Sequence, residues 1–492
     1  MSVIRNEVRR STYLDSIVLM RISRQVAALP GVEEAGLVIA TPANKEILRD
    51  ARILGPEGEK AKPGDLILAL RAKDAAAAEA ALAEAKRLLD QPSLSGTPAS
   101  EHVARTIRGA VQQMPDANLA LISVPGHFAA AEARKALALG LHVMIFSDNV
   151  AIEDEVALKR EARAAGRLVM GPDCGTGIIG GVPLGFANVV PRGDIGIIGA
   201  SGTGIQEVSC LVARAGGGIS HAIGTGGRDL KTEVGAITTS MAIDALDADL
   251  ATKHIVLISK PPDDAVIKLV LDRVARSPKP FTICFLGARD LALPANARCA
   301  PTLTAAAELA IGAAMPREPA NPPPAVSPRG RLVRGLFAGG TLCAEAQIVF
   351  TQAGLRVASN VPAPGAAPMS NAKGWHRMID LGSDEFTRGR PHPMIEPAVR
   401  DGPLADALAD AEVGVILLDV VLGLGAHADP AGHLARMLAG CDRRPLILAC
   451  VVGTDRDPQS RSAQASKLTE AGVIVAQSNA DTAAMALKAI GT

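Results

Sequence analysis

The segment Asp194-Ile-Gly-Ile-Ile-Gly-Ala-Ser-Gly-Thr-Gly-Ile-Gln-Glu-Val208 constrains the fold more than any other. It begins as a short, apolar, β-branched strand of the kind buried on both faces, turns tightly through Gly199 and Gly202, and continues with helical periodicity from Gln206 to Arg214. Such a turn aims free N–H groups and the positive end of a helix at one point, so Ser201, Gly202 and Thr203 are read as an anion site. The same pattern serves as an ordinary strand-to-helix turn of a doubly wound sheet. No Asp or Glu ends a following strand about 20 residues on, so phosphate or carboxylate fits the turn better than NAD.

Strand-like and helix-like stretches alternate on both sides of this segment. Residues 8–92 read as a small α+β module: a strand-like Ser11–Tyr13, a helix around Ser16–Leu29, the strand Glu34–Ala40, a helix near Ala43–Asp50, the strand Asp65–Leu70 and an alanine-rich helix Lys73–Leu89. Gln91–Ser100 is rich in Pro, Ser and Gly and reads as a linker. The next region, 93–190, changes to βα units, with strands expected at Leu119–Val124 and His142–Ile145, which means a parallel sheet. Val124-Pro-Gly-His-Phe128 and Gly171-Pro-Asp-Cys-Gly-Thr-Gly-Ile178 fall at strand ends, the edge where open α/β sheets bind ligands, making Pro125, Asp173 and Cys174 candidate binding residues. No base is evident to make Cys174 a nucleophile.

A second α/β domain, 191–315, contains the opening segment and a second glycine turn, Gly224-Thr-Gly-Gly-Arg-Asp229, so Gly226, Gly227 and Arg228 extend the anion-binding edge. Residues 316–330 are a proline-rich linker. A third α/β domain, 331–492, repeats the plan at Leu418-Asp-Val-Val-Leu-Gly-Leu-Gly-Ala-His-Ala-Asp-Pro430, where Gly423 and Gly425 are turn candidates. Within it, Arg388-Gly-Arg-Pro-His-Pro-Met-Ile-Glu-Pro397 sets two arginine forks, suited to phosphate or carboxylate, beside His392 between two stiffening prolines. Arg388, Arg390 and His392 are the candidate catalytic residues, with Arg390 as a clamp and His392 as hydrogen-bond donor or general acid.

Composition narrows the function. Lys+Arg and Asp+Glu are both 51, so nothing draws the chain to nucleic acid or acidic membranes, and aromatics at 2% provide no base-stacking platform. Seven cysteines without paired CxxC spacing read as reduced thiols, neither a disulfide frame nor a metal site. No run of about 18 apolar residues occurs, and a cytoplasmic enzyme without a membrane segment is expected.

These motifs resemble the FdrA family, itself similar to the succinyl-CoA synthetase ligases. Leu121-Ile-Ser-Val-Pro, Gly171-Pro-Asp-Cys, Ile195-Gly-Ile-Ile-Gly-Ala-Ser-Gly-Thr and Ile223-Gly-Thr-Gly-Gly-Arg-Asp stand in the order of the ligase α subunit's strand ends. Met378-Ile-Asp-Leu-Gly382 and Ile416–Gly423 are similar to the C-terminal domain of its β subunit, and the Arg388–Pro397 stretch is distinctive of FdrA-like proteins. The resemblance implies an α/β chain: the α+β module, then a Rossmann-like CoA-binding domain at 93–190 and flavodoxin-like, succinyl-CoA synthetase-type parallel-sheet domains. Two features depart from the ligases. Ala297-Arg-Cys-Ala-Pro-Thr302 stands where they carry a phosphohistidine loop, and there is no evident room for an ATP-grasp domain. The resemblance implies instead the chemistry of an oxamate carbamoyltransferase of allantoin breakdown, in which oxalurate and phosphate give oxamate and carbamoyl phosphate. Phosphate and carbamoyl phosphate are then the expected ligands, CoA is possible, no ATP site or metal is recognised, and separately encoded partner subunits in an oligomer are implied. An acyl-CoA ligase completed by another chain and a non-catalytic organising subunit stand as the alternatives.

Overall fold

A computed structural model describes residues 2–491 apart from 11, 13, 15, 91–103, 316–329, 370–372, 389–390 and 442–443. Both expected linkers, Gln91–Ser100 and 316–330 up to its last residue, therefore lie outside the described residues. The chain divides into two compact units, one of residues 1–103 with 384–391, the other of residues 104–383 with 392–492.

The first unit is a three-stranded antiparallel sheet in the order Val3–Arg9, Leu66–Ala72, Val32–Ile39, with helices Ser16–Ala27, Pro42–Asp50, Pro56–Lys60 and Ala75–Asp90. Ala78, Ala81 and Ala85 of the last helix are buried, a face of small residues at helical spacing that lets it lie close to the sheet. The strand Val3–Arg9 was not expected from the sequence. Its Arg5, Asn6 and Glu7 break the apolar pattern because it is an edge strand, anchored by the Asn6 side chain, which donates to Ile53 O at 2.7 Å and accepts from Gly55 N at 2.6 Å.

The second unit holds three sheets. Leu119–Ile122, His142–Ile145 and Val169–Met170 form a small parallel sheet. Next in the chain are five parallel strands, Ile195–Gly199, Ile219–Gly224, His254–Ser259, Phe281–Phe285 and Ala297–Cys299, whose spatial order 2-1-3-4-5 is that of the flavodoxin-like fold. The antiparallel pair Thr176–Ile179 and Val182–Gly185 is bonded to this sheet through Ala222 and Ile178, so the sheet begins before the boundary expected at residue 191.

The third sheet is entirely parallel, in the order Ala367–Pro368, Val357–Ser359, His376–Asp380, Leu332–Phe337, Val413–Val421, Leu446–Val452, Ile474–Ala476. All nine residues of Val413–Val421 are buried, which explains its unbroken apolar run. The strand His376–Asp380 is inserted beside Leu332–Phe337, and the register places Asp380 next to Phe337.

The two large sheets belong to matching halves. Ala200-Ser-Gly-Thr-Gly-Ile-Gln-Glu207 opens the helix Gly202–Arg214, and Ala338-Gly-Gly-Thr-Leu-Cys-Ala-Glu345 opens the helix Gly340–Gln352. Both helices are buried nearly all round, in one apolar core running from Ile197 and Val208 to Phe337 and Leu417. Their glutamates cross over. Glu345 accepts from Leu303 N, the first residue of the helix Leu303–Ile311 in the other half, at 2.7 Å and from Asn479 Nδ2 at 2.7 Å. Glu207 accepts from Asn479 N, the first residue of the helix Asn479–Ile490, at 3.0 Å. Each carboxylate thus satisfies an orphan helix-end amide of the opposite half. Burial pushes both acids up, Glu345 to about 7. Replacing Glu345 with Ala leaves the Leu303 amide and one Asn479 amide hydrogen unpaired, the other still bonded to Leu342 O, and is expected to lower the unfolding free energy by roughly 1–3 kcal/mol. Chemical denaturation measures it, and wild-type stability in that variant would contradict the crossed caps.

Candidate functional site

The helices Gly202–Arg214 and Gly340–Gln352 meet at their N-terminal ends. Ser201 caps the first, its Oγ accepting from Gly204 N at 3.0 Å, and the same hydroxyl is hydrogen-bonded to Thr341 Oγ1 in the first turn of the second. A β-carbon at Gly339 would lie 3.0 Å from the Thr203 methyl, and one at Gly202 would lie 2.9 Å from Thr176 Oγ1, so glycine permits both approaches. Two positive helix ends facing one another form a place where negative charge is stabilised.

An aspartate stands on each side of the second turn, because the strands flanking Leu332–Phe337 both carry one beside the turn. Asp419 is fully engaged: it accepts from Ala338 N and Gly339 N, each at 2.7 Å, and from the buried Arg400 at 2.6 Å. It fixes the turn. Asp380, only 6% exposed, accepts from Gly382 N through Oδ1 at 3.0 Å, while Oδ2 points at the helix start, 2.6 Å from where a β-carbon of Gly340 would be. No hydrogen bond reaches that oxygen from the described residues. Burial pushes Asp380 up to about 6, against the lowering influence of Lys260, which follows the strand His254–Ser259.

His392 completes the cluster. Its Nδ1 accepts from Met394 N at 3.2 Å, which assigns the ring hydrogen to Nε2, and a β-carbon at Gly382 would lie 2.6 Å from Nε2. Burial lowers His392 to about 4, so the ring is neutral at pH 7. Of the two roles expected from the sequence, the neutral ring serves the hydrogen-bond donor; a general acid would require the charged form. Arg388 is exposed, follows the short helix Asp384–Thr387 and is counted with the first unit, whereas His392 is counted with the second; Arg390 lies outside the described residues.

The other expected binding residues sit at strand ends. Pro125 precedes the helix Gly126–Ala138, whose first residue abuts the backbone: a β-carbon at Gly126 would lie within 2.1 Å of Asp148 O. Asp173 is exposed, and its amide donates to Ser147 O at 3.0 Å. Cys174 is buried, its Sγ directed at Thr176 O at 3.5 Å, and burial pushes the thiol up to about 12, so it is neither a thiolate nor a group facing an open site. Gly226 packs on Pro172 O, Gly227 is exposed, and the Arg228 guanidinium is held by Val150 O and Glu155, each at 2.8 Å. Beneath them the buried Lys159 joins Glu155, Asp229 and Thr225 O, a charged web that fixes this edge.

Gly423 and Gly425 do not form an open turn. Both have positive φ, and β-carbons there would lie 2.7 Å from Ala187 O and from the Phe186 ring, so they make the seam between the halves. Ala297–Thr302 is an edge strand followed by a helix cap, Thr302 accepting from Ala305 N at 3.1 Å. Sequence reasoning passed over Asp380, Asp419, Lys260 and Thr341 as site residues. For Thr341 the signal was present in the repeated pattern Ala-x-Gly-Thr-x-x-x-Glu at 200–207 and 338–345; the other three lie outside it.

Comparison with known proteins places these features. Three family models match: "AllF, heavy metal-associated domain" over residues 1–104, "CoA binding domain" over 192–287 and "CoA-ligase" over 336–489. The CoA-binding match falls on the half around Ser201, whereas the CoA-binding domain was expected at 93–190. The N-terminal description names a heavy metal, yet the matched residues 1–104 contain no cysteine and one histidine, His102, so the paired thiolates typical of a soft-metal site are not in its sequence. The uncharacterized protein YahF of Escherichia coli is 43% identical over 505 residues, covering 97% of each chain. Subunit alpha 2 of an ADP-forming succinate–CoA ligase from Archaeoglobus fulgidus is 29% identical over 171 residues, 34% of this chain and 56% of that one. The structure of the dinucleotide forming acetyl-coenzyme A synthetase 1 of Ca. Korarchaeum cryptofilum, in complex with phosphate and ADP, aligns over 80% of this chain and 87% of that one at 15% identity, with a TM-score of 0.32. Among the described residues no helix is long and apolar enough to cross a membrane, and no group of three or more His, Cys, Asp or Glu side chains is placed to hold a metal. The chain belongs to the family of YahF, in which an AllF-type N-terminal domain is joined to CoA-binding and CoA-ligase domains of succinyl-CoA synthetase-like architecture.

Proposed function

We propose that this chain is the FdrA-like subunit of an oxamate carbamoyltransferase-type enzyme, and that it moves a carbamoyl group between oxalurate and phosphate at the meeting point of the two helices. The observation that carries this reading is the hydrogen-bonded contact of Ser201 and Thr341, which brings two helix N-termini to one point. Phosphate is held there by first-turn amides and by Thr203 and Thr341, with Lys260 near enough to favour an anion. A phosphate oxygen attacks the carbamoyl carbon, and the C–N bond to the oxamate nitrogen breaks. The proton released from phosphate passes to that nitrogen, so atoms and charge balance without ATP. The neutral His392 donates its Nε2–H to the carbonyl oxygen as negative charge develops there.

A subunit of an acyl-CoA ligase is the second reading, favoured by the CoA-binding and CoA-ligase matches. CoA would then lie along the edge of Pro125, Asp173, Gly226, Gly227 and Arg228. Calorimetry separates the two. Phosphate and carbamoyl phosphate are expected to bind the purified chain and ATP is not; micromolar ATP binding without carbamoyl phosphate binding would favour the ligase.

His392→Gln keeps an N–H donor, so its kcat, assayed with the partner subunits present, is expected to stay within about tenfold of wild type. His392→Leu removes the donor and is expected to lose roughly 10²–10³-fold. Equal losses in both variants, with a flattened pH profile, would restore the general-acid role.

A further inference from the structure

Almost every polar group at the meeting point is a donor. The helix-start amides and His392 Nε2 offer hydrogen, the Ser201 and Thr341 hydroxyls can, and Lys260 adds a positive electrostatic influence. Asp419 also lies there, but its oxygens are taken by Ala338 N, Gly339 N and Arg400. Asp380 is the exception. Its Oδ2 is an acceptor with no hydrogen bond from the described residues, on a side chain more than nine-tenths buried, held in place through Oδ1 by Gly382 N and through the backbone by the Asn360 side chain. That oxygen keeps a little contact with solvent, and an acceptor set among donors and open to a ligand calls for one carrying an N–H next to its anionic group.

We propose that Asp380 is the specificity-determining residue of this site: its Oδ2 accepts a hydrogen bond from the amine of a carbamoyl group whose phosphate lies on the two helix ends. The inference rests on the reading of this site as a carbamoyl phosphate site and adds the group that tells carbamoyl from acyl. Carbamoyl phosphate and acetyl phosphate have nearly the same size and the same anionic end, and they differ in presenting NH₂ or CH₃ to Asp380. A methyl group leaves the acceptor buried and unpaired. His392 does not discriminate, because both ligands have the carbonyl oxygen that it meets.

The test is calorimetry of the full chain with carbamoyl phosphate, acetyl phosphate and inorganic phosphate. Wild type is expected to bind carbamoyl phosphate at least about tenfold more tightly than acetyl phosphate, the size of one charge-assisted hydrogen bond. Asp380→Asn, which keeps an oxygen for Gly382 N and turns an NH₂ toward the ligand, is expected to bring that ratio to within about threefold of one. Inorganic phosphate should bind this variant at least as tightly, since a negative charge is gone. Gly340→Ala is a second, charge-neutral variant: its methyl falls 2.6 Å from Oδ2, pushes the carboxylate aside and should lower the ratio in the same direction. A wild type that binds both acyl phosphates equally, or variants that keep the wild-type ratio, overturns the role of Asp380 and leaves the phosphate site standing. Failure of wild type to bind any of the three overturns both.

Discussion

The structure depends on a repulsion. Two helix ends of like sign are brought together by the contact of Ser201 with Thr341, and two half-charges at about 4 Å repel by about 1 kcal/mol at an effective dielectric of about 20. The fold holds them there through contacts made elsewhere: the continuous apolar core, and Glu207 and Glu345 reaching across to Asn479 and Leu303. An anion between the ends would remove the repulsion. A contact that is unfavourable without ligand and favourable with it is what a preformed anion site requires.

The asymmetry between the halves then determines what the anion is attached to. Both halves place a Gly-Thr turn at the head of a buried helix, but only the third sheet has an extra strand, His376–Asp380, inserted next to the strand that feeds the turn. That insertion sets Asp380 beside Gly340. The segment after Pro391 brings His392 to Gly382, so an acceptor and a neutral donor flank the same helix start. The Arg228, Glu155, Lys159 and Asp229 web is different in kind. Its charges are paired, and it builds the edge of the sheets.

Much of this was legible in the sequence, for reasons that differ along the chain. The strand and turn at 194–208 were readable because a strand buried on both faces leaves an apolar run ending in glycines, and the helix Ala75–Asp90 because its alanines repeat at helical spacing. The strand Val3–Arg9 was not, since an edge strand need not be apolar. Gly423 and Gly425 carry the composition of a ligand turn, but their positive φ serves close packing on Phe186 and Ala187, which only the tertiary structure reveals. His392 was noticed for its prolines; its neutral state follows from burial and from Met394 N. Asp380 ends a strand of ordinary appearance, and only the register with Phe337 shows that it faces a helix start.

A crystal structure of the protein with carbamoyl phosphate bound tests the central claim most directly. The phosphate oxygens are expected to accept from the amides of Gly202–Thr203 and Gly340–Thr341, with the carbamoyl nitrogen facing Asp380. Phosphate bound instead along the edge of Pro125, Asp173 and Gly226, with the two helix ends unliganded, would contradict it.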